Sequence, residues 1–73
     1  MARNQEKNRL REVRDDCLLT QAELAKESGV GRRTIVSIEQ GMRCRVDTKR
    51  KLLHALGLVF SQKNQVWPLE DSP

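Results

Sequence analysis

The segment that decides the fold runs from Thr20 to Gly41, TQAELAKESGVGRRTIVSIEQG. Thr20-Gln21-Ala22-Glu23 has the form of a capping box. The Thr20 hydroxyl can accept the amide of the third helical residue, and the Glu23 carboxylate can reach back to the Thr20 amide. Gln21, Leu24, Ala25 and Ser28 then fall on one helical face. Gly29 is placed to stop the helix, because glycine adopts positive φ without a Cβ clash. Gly31 serves as the N-cap of a second helix, with Val30 as a preceding apolar staple. Ile35, Ile38 and Met42 follow at helical spacing as its inner side. Arg32, Arg33, Val36, Ser37 and Gln40 are left facing outward, and Gly41 ends the run.

Two short helices joined by a glycine-containing turn of about three or four residues have the spacing of a helix-turn-helix, here about residues 20–41. The flanks are helical as well. Leu10, Val13, Arg14 and Cys17 sit at i, i+3, i+4 and i+7, one face of a first helix whose end near Asp15 to Leu19 carries no glycine. A basic loop spans Met42 to Val46. Asp47 is expected to cap a fourth helix with Leu52, Leu53 and Leu56 as its stripe, ended by Gly57. Ser61 is expected to cap a short fifth helix carrying Val66 and Trp67, stopped by Pro68. The reading is an all-α chain of five packed helices: one domain over residues 1–69 and a frayed tail at 70–73. The expected core is Leu10, Val13, Cys17, Leu19, Leu24, Ala25, Val30, Ile35, Ile38, Leu52, Leu53, Leu56, Val66 and Trp67.

At 73 residues there is room for one domain. No helix is long enough to be stable alone, so each depends on burying its stripe against the others. No apolar run approaches the ~18 residues of a membrane span. The start, MARNQEKNRLREVR, lacks the apolar region of a secretory signal, so a cytoplasmic protein with free thiols is expected. The sequence alone leaves a Cys17–Cys44 disulfide open. Those two cysteines and His54 show no metal-ligand spacing, and neither metal nor cofactor is expected. Without a nucleophile–base pair or a carboxylate pair, an enzyme is not expected either.

The formal charge is +4, unevenly spread. Residues 1–14 carry Arg3, Lys7, Arg9, Arg11 and Arg14 against Glu6 and Glu12, a net of +3. Residues 15–30 carry Lys26 against Asp15, Asp16, Glu23 and Glu27, a net of −3. Residues 31–51 carry Arg32, Arg33, Arg43, Arg45, Lys49, Arg50 and Lys51 against Glu39 and Asp47, a net of +5. A charge run is ordinarily a solvated face, but an excess of this size also suits a polyanionic partner.

Thr20-Gln21-Ala22-Glu23-Leu24-Ala25, Gly29-Val30, Thr34-Ile35 and Ile38-Glu39-Gln40-Gly41 together resemble the phage-repressor and Cro type of helix-turn-helix, the XRE family. Asn8 to Arg14 and Leu53-His54-Ala55-Leu56-Gly57 resemble that family's first and fourth helices. The resemblance covers roughly residues 8 to 58. Two positions depart from the pattern. Gly31 stands where a Ser or Thr cap is frequent, and Leu18 stands where many members have glycine.

The resemblance implies a repressor-like fold whose third helix enters the major groove of double-stranded DNA. Arg32 and Arg33 are then the main candidate base readers, since a guanidinium fork matches O6 and N7 of guanine. Either could instead be a solvated charge or a phosphate contact. Val36 and Ser37 match positions that also face bases. Gln21 matches a residue that bonds backbone phosphate at a helix N-terminus. Thr34, Arg43, Arg45, Asn8 and Arg9 are further phosphate candidates, while Lys49, Arg50 and Lys51 read mainly as solvated. Arg14 and Glu39 match positions the family often joins in a partly buried ion pair, a structural role. The implied function is a sequence-specific DNA-binding transcriptional regulator. It is expected to dimerise at least on DNA, through Leu58, Val59, Phe60, Trp67 and Leu69, unless Trp67 simply closes the core of a monomer. The competing reading is a protein-binding adaptor, such as the antitoxin of a toxin–antitoxin pair.

Overall fold

The computed structural model describes residues 8–68. The N-terminal residues 1–7, the expected tail at 70–73 and the candidate contact Leu69 lie outside the described residues. The described chain forms four α-helices and a 3₁₀ helix. These are α1 (Leu10–Asp16), α2 (Gln21–Ser28), α3 (Arg32–Glu39), α4 (Val46–Ala55) and the 3₁₀ turn Phe60–Gln65. α2 packs on both α3 and α4, α1 lies against α3, and the 3₁₀ helix lies against α4.

The helix-turn-helix is built by its caps. Thr20 Oγ1 accepts the Glu23 amide at 3.0 Å, and Glu23 Oε1 accepts the Thr20 amide at 2.8 Å, so both halves of the capping box are present. Gly29 ends α2 in the left-handed region at φ 75°. Gly31 is the N-cap of α3, as expected. It offers no side-chain acceptor, so the first amides of α3 lack a side-chain cap.

Leu10, Leu24, Val30, Ile35, Ile38, Leu52, Leu53, Leu56, Val66 and Trp67 make up the buried core. Val13, Leu19 and Ala25 are half-buried around it. Truncating one of the fully buried leucines to alanine is a change of about 2–5 kcal/mol in such a core. Cys17 was expected among these residues and is exposed instead. α1 stops at Asp16, so the 3.6-residue period no longer applies at Cys17, which is its C-cap. Met42 also falls outside the helix it was read into and is exposed, for the same reason. Both cysteines are free thiols.

Three caps differ from the sequence reading. α4 starts two residues earlier than expected, with Arg45 as N-cap and Asp47 inside the first turn. Asp47 therefore acts on the helix dipole and through an exposed i,i+4 pair with Lys51, not as a cap. Val59, not Ser61, precedes the 3₁₀ helix, and the Gln62 side chain accepts the Val59 amide at 2.9 Å. α1 ends in a Schellman arrangement: the Leu19 amide bonds Arg14 oxygen and the Leu18 amide bonds Asp15 oxygen. This places Leu18 at φ 59°, the left-handed position that glycine occupies at lower cost.

Lys49, expected in solvent, is only 4% exposed. Its stem is buried in the core and its ammonium lies 5.1 Å from the Trp67 ring centroid, a cation–π arrangement. Trp67 itself is fully buried, with an indole N–H that lacks a hydrogen-bond partner.

Candidate nucleic-acid interface

α3 is presented by what holds its inner side. Ile35 and Ile38 are buried, and the carbonyl of Ile38 accepts Asn8 Nδ2 at 2.8 Å. Asn8 Oδ1 accepts the Leu10 amide at 3.0 Å, capping α1 from two residues upstream. Both ends of the Asn8 amide are thus engaged in joining α1 to α3, a role the sequence reading missed. Asx side chains capping their own backbone two residues on are the local signal that could have found it.

Arg14 and Glu39 face one another across the α1–α3 contact. Arg14 Nε lies 2.6 Å from Glu39 Oε2 and Nη2 lies 3.2 Å from Oε1, with side chains 10% and 7% exposed. Arg14 Nη1 donates to the Leu19 carbonyl at 2.7 Å and lies 3.3 Å from Asp15. The hydrogen bond to Glu39 holds the Arg14 guanidinium above its ordinary proton affinity. Burial opposes the shift, and the charges of Glu39 and Asp15 add to it. Gln21, the first residue of α2, donates through Nε2 to Glu39 Oε1 at 3.0 Å.

Outward from this cluster, Arg32, Arg33 and Thr34 are exposed on the first turn of α3, with Val36 and Ser37 half-buried beside them. A hollow of about 380 Å³ is lined by Arg32, Arg33 and Val36. A second cleft of about 410 Å³ is lined by Arg11, Arg14, Gln21, Val36, Glu39 and Gln40. Val36 is the common wall. Arg11 was given no role in the sequence reading. It lies on the exposed side of α1 by periodicity, and only the α1–α3 packing brings it beside α2.

The cations divide by partner. Arg9 pairs with Glu12 at 2.9 Å, Lys51 with Asp47 at 3.8 Å, and Arg50 covers the Phe60 ring at 5.3 Å. Arg11, Arg32, Arg33, Arg43 and Arg45 are exposed, and among the described residues none of them has an ion-pair partner. Arg43 and Arg45 lie in the loop between α3 and α4. The fold therefore leaves its unpaired arginines at the start of α3, in the following loop and at the cleft beside α2.

Of the residues expected at a dimer contact, Trp67 is core and Leu58 and Phe60 are half-buried against it, while Val59 is exposed. No described helix is long and apolar enough to cross a membrane. Among the described residues no group of His, Cys, Asp and Glu could hold a metal.

A family model described as helix-turn-helix matches residues 10–59, from the first residue of α1 to the residue before the 3₁₀ helix. The chain belongs to this helix-turn-helix family, of the XRE type, a family of DNA-binding regulators. No curated protein matches the chain.

Proposed function

We propose that this chain is a sequence-specific reader of double-stranded DNA that inserts the N-terminal half of α3 into the major groove. The observation that carries the reading is the pair Arg32 and Arg33: exposed, unpaired among the described residues, and fixed on the first turn of a helix whose inner face is buried. An arginine with no partner in the fold keeps its donor fork for a base edge, and bidentate bonding to guanine is its most selective use. Val36 is placed to pack on a thymine methyl, and Ser37 to bond a base or a phosphate. Gln21, Thr34, Arg43 and Arg45 hold the backbone on either side, with Arg9 further out. Phosphate contacts of this kind set affinity and register without carrying sequence information. Asn8, with both amide ends engaged, is assigned to the fold. Arg14 and Glu39 are assigned to clamping α1 on α3.

A single α3 covers only a few base pairs, so two copies on two half-sites are the natural reading unit. A genomic duplex as partner, together with two free thiols, fits a cytoplasmic protein. The adaptor reading would call for an apolar or acidic outer face on α3. The exposed positions there are Arg32, Arg33 and Thr34, with Gln40 at its C-cap.

The test is selectivity. Arg32→Ala and Arg33→Ala are each expected to shrink the affinity ratio between a preferred and a scrambled duplex by about tenfold, the value of one bidentate base contact. An unchanged ratio in both variants would remove the base-reading role.

A further inference from the structure

We infer that the hollow lined by Arg32, Arg33 and Val36 reads the C5-methyl group of a pyrimidine beside guanine, and not the pyrimidine itself. 5-Methylcytosine then serves there as well as thymine, and methylating a cytosine at that position tightens binding. The inference rests on the DNA-reading proposal and deepens it by naming a modified base as ligand.

The geometry places the two contacts side by side. The hollow has a volume of about 380 Å³, and Val36 is the apolar residue among the three that line it. Val36 follows Arg32 by four residues and Arg33 by three, so it neighbours both on the helix surface, with Cβ atoms about 5–6 Å apart. Successive bases on one strand are stacked about 3.4 Å apart. An arginine bonded to a guanine edge therefore leaves Val36 against the adjoining base, where a C5-methyl projects into the major groove. Val36 is half-buried on a helix whose Ile35 and Ile38 are fixed in the core. Its position is set by the packing of α3 and not by a loop.

The chemistry of α3 decides what else is read at that base. Telling a thymine pair from a cytosine pair takes a side-chain amide for the adenine or a carboxylate for the cytosine amino group. The one carboxylate of α3, Glu39, is engaged by Arg14 and Gln21. Gln40 lies at the C-cap, one turn beyond Val36. The hydroxyls of Thr34 and Ser37 bond either kind of base. Within the hollow only the methyl group then separates a good pyrimidine from a poor one. Thymine and 5-methylcytosine carry it, and uracil and cytosine do not.

The probe is a duplex that wild type enriches from a random library, remade in four forms at the pyrimidine beside its guanine. The forms carry thymine, uracil, cytosine or 5-methylcytosine, each with its complement. Uracil and cytosine should each weaken wild-type binding about fourfold, the value of one methyl group returned to water. 5-Methylcytosine should match thymine. In Val36→Ser, with folding checked by circular dichroism, the four forms should bind alike. An enriched motif with no pyrimidine beside guanine would overturn the inference, as would equal wild-type affinity for thymine and uracil or for 5-methylcytosine and cytosine. These arms use wild type alone and stand even where Val36→Ser does not fold. A methyl effect that persists undiminished in folded Val36→Ser would also overturn it, since the methyl would then act through the shape of the DNA. If Arg32→Ala and Arg33→Ala lose guanine selectivity while the four forms bind wild type alike, only this inference is lost. If wild type enriches no motif, the DNA-reading proposal is lost with it.

Discussion

Glu39 of α3 meets Arg14 of α1 along both edges of its carboxylate, at 2.6 Å and 3.2 Å, across 25 residues of chain. The pair is one of the few places where the fold carries charge inward. Removing one partner leaves the other poorly solvated, which costs about 3–5 kcal/mol in buried pairs. Glu39→Ala and Arg14→Ala should each fall near the lower end, about 3 kcal/mol, because both side chains keep some exposure. Urea denaturation reads this directly. A loss under about 1 kcal/mol in both variants would mean that the pair is incidental to stability. The bond to Glu39 raises the proton affinity of Arg14, so this contribution is complete at neutral pH. On the alkaline side it is lost when strongly alkaline solution removes the guanidinium proton.

Leu18 sits at φ 59° and is 89% exposed. Its side chain contributes almost no burial, and its backbone occupies a region that costs a non-glycine residue about 1 kcal/mol. Leu18→Gly should therefore raise stability by about 0.5–1 kcal/mol despite the added freedom of the unfolded chain. Thermal melts of the two proteins compare them, and a lower midpoint for the glycine variant would show that Leu18 supports the fold in another way.

Asn8 bonds the Ile38 carbonyl and the Leu10 amide with the two ends of one amide. Asn8→Ala is expected to cost about 1–2 kcal/mol, the value of a lost cap together with an orphaned carbonyl. Where the variant stays folded, its affinity for a duplex should be unchanged. A loss of about fivefold in duplex affinity at full stability would instead restore Asn8 as a phosphate contact.

Much of this architecture could be read without coordinates, and the failures have local causes. The Thr20–Glu23 capping box and the Gly29 and Gly31 boundaries were legible because each rests on neighbouring residues and short-range geometry. The apolar stripes of α2, α3 and α4 were legible because each helix is long enough to repeat its period. Cys17 was misplaced because α1 holds only 7 residues, and a face projected past its end has no meaning. Asp47 looked like a cap because acidic residues suit both the cap and the first turn. Lys49 looked solvated because only the packed Trp67 makes its burial tolerable. At the candidate interface, the exposure of Arg32 and Arg33 followed from α3's own period. The place of Arg11 beside Gln21 follows from how α1 lies on α3, which no single segment encodes.

Arg43 and Arg45 lie exposed in the loop after α3, without ion-pair partners among the described residues. If they hold phosphates, Arg43→Ala should weaken binding to all duplexes alike and flatten the log–log salt slope by about one unit. A change in sequence preference with an unaltered slope would make Arg43 a base reader instead.

The claim that α3 reads sequence is tested most directly by selecting bound duplexes from a random library with wild type and with the Arg32→Ala, Arg33→Ala double variant. Wild type is expected to enrich a short motif containing guanine, repeated in two half-sites about one helical turn apart. The double variant should lose the guanine positions. Salt-sensitive binding by wild type with no enriched motif would contradict sequence-specific reading.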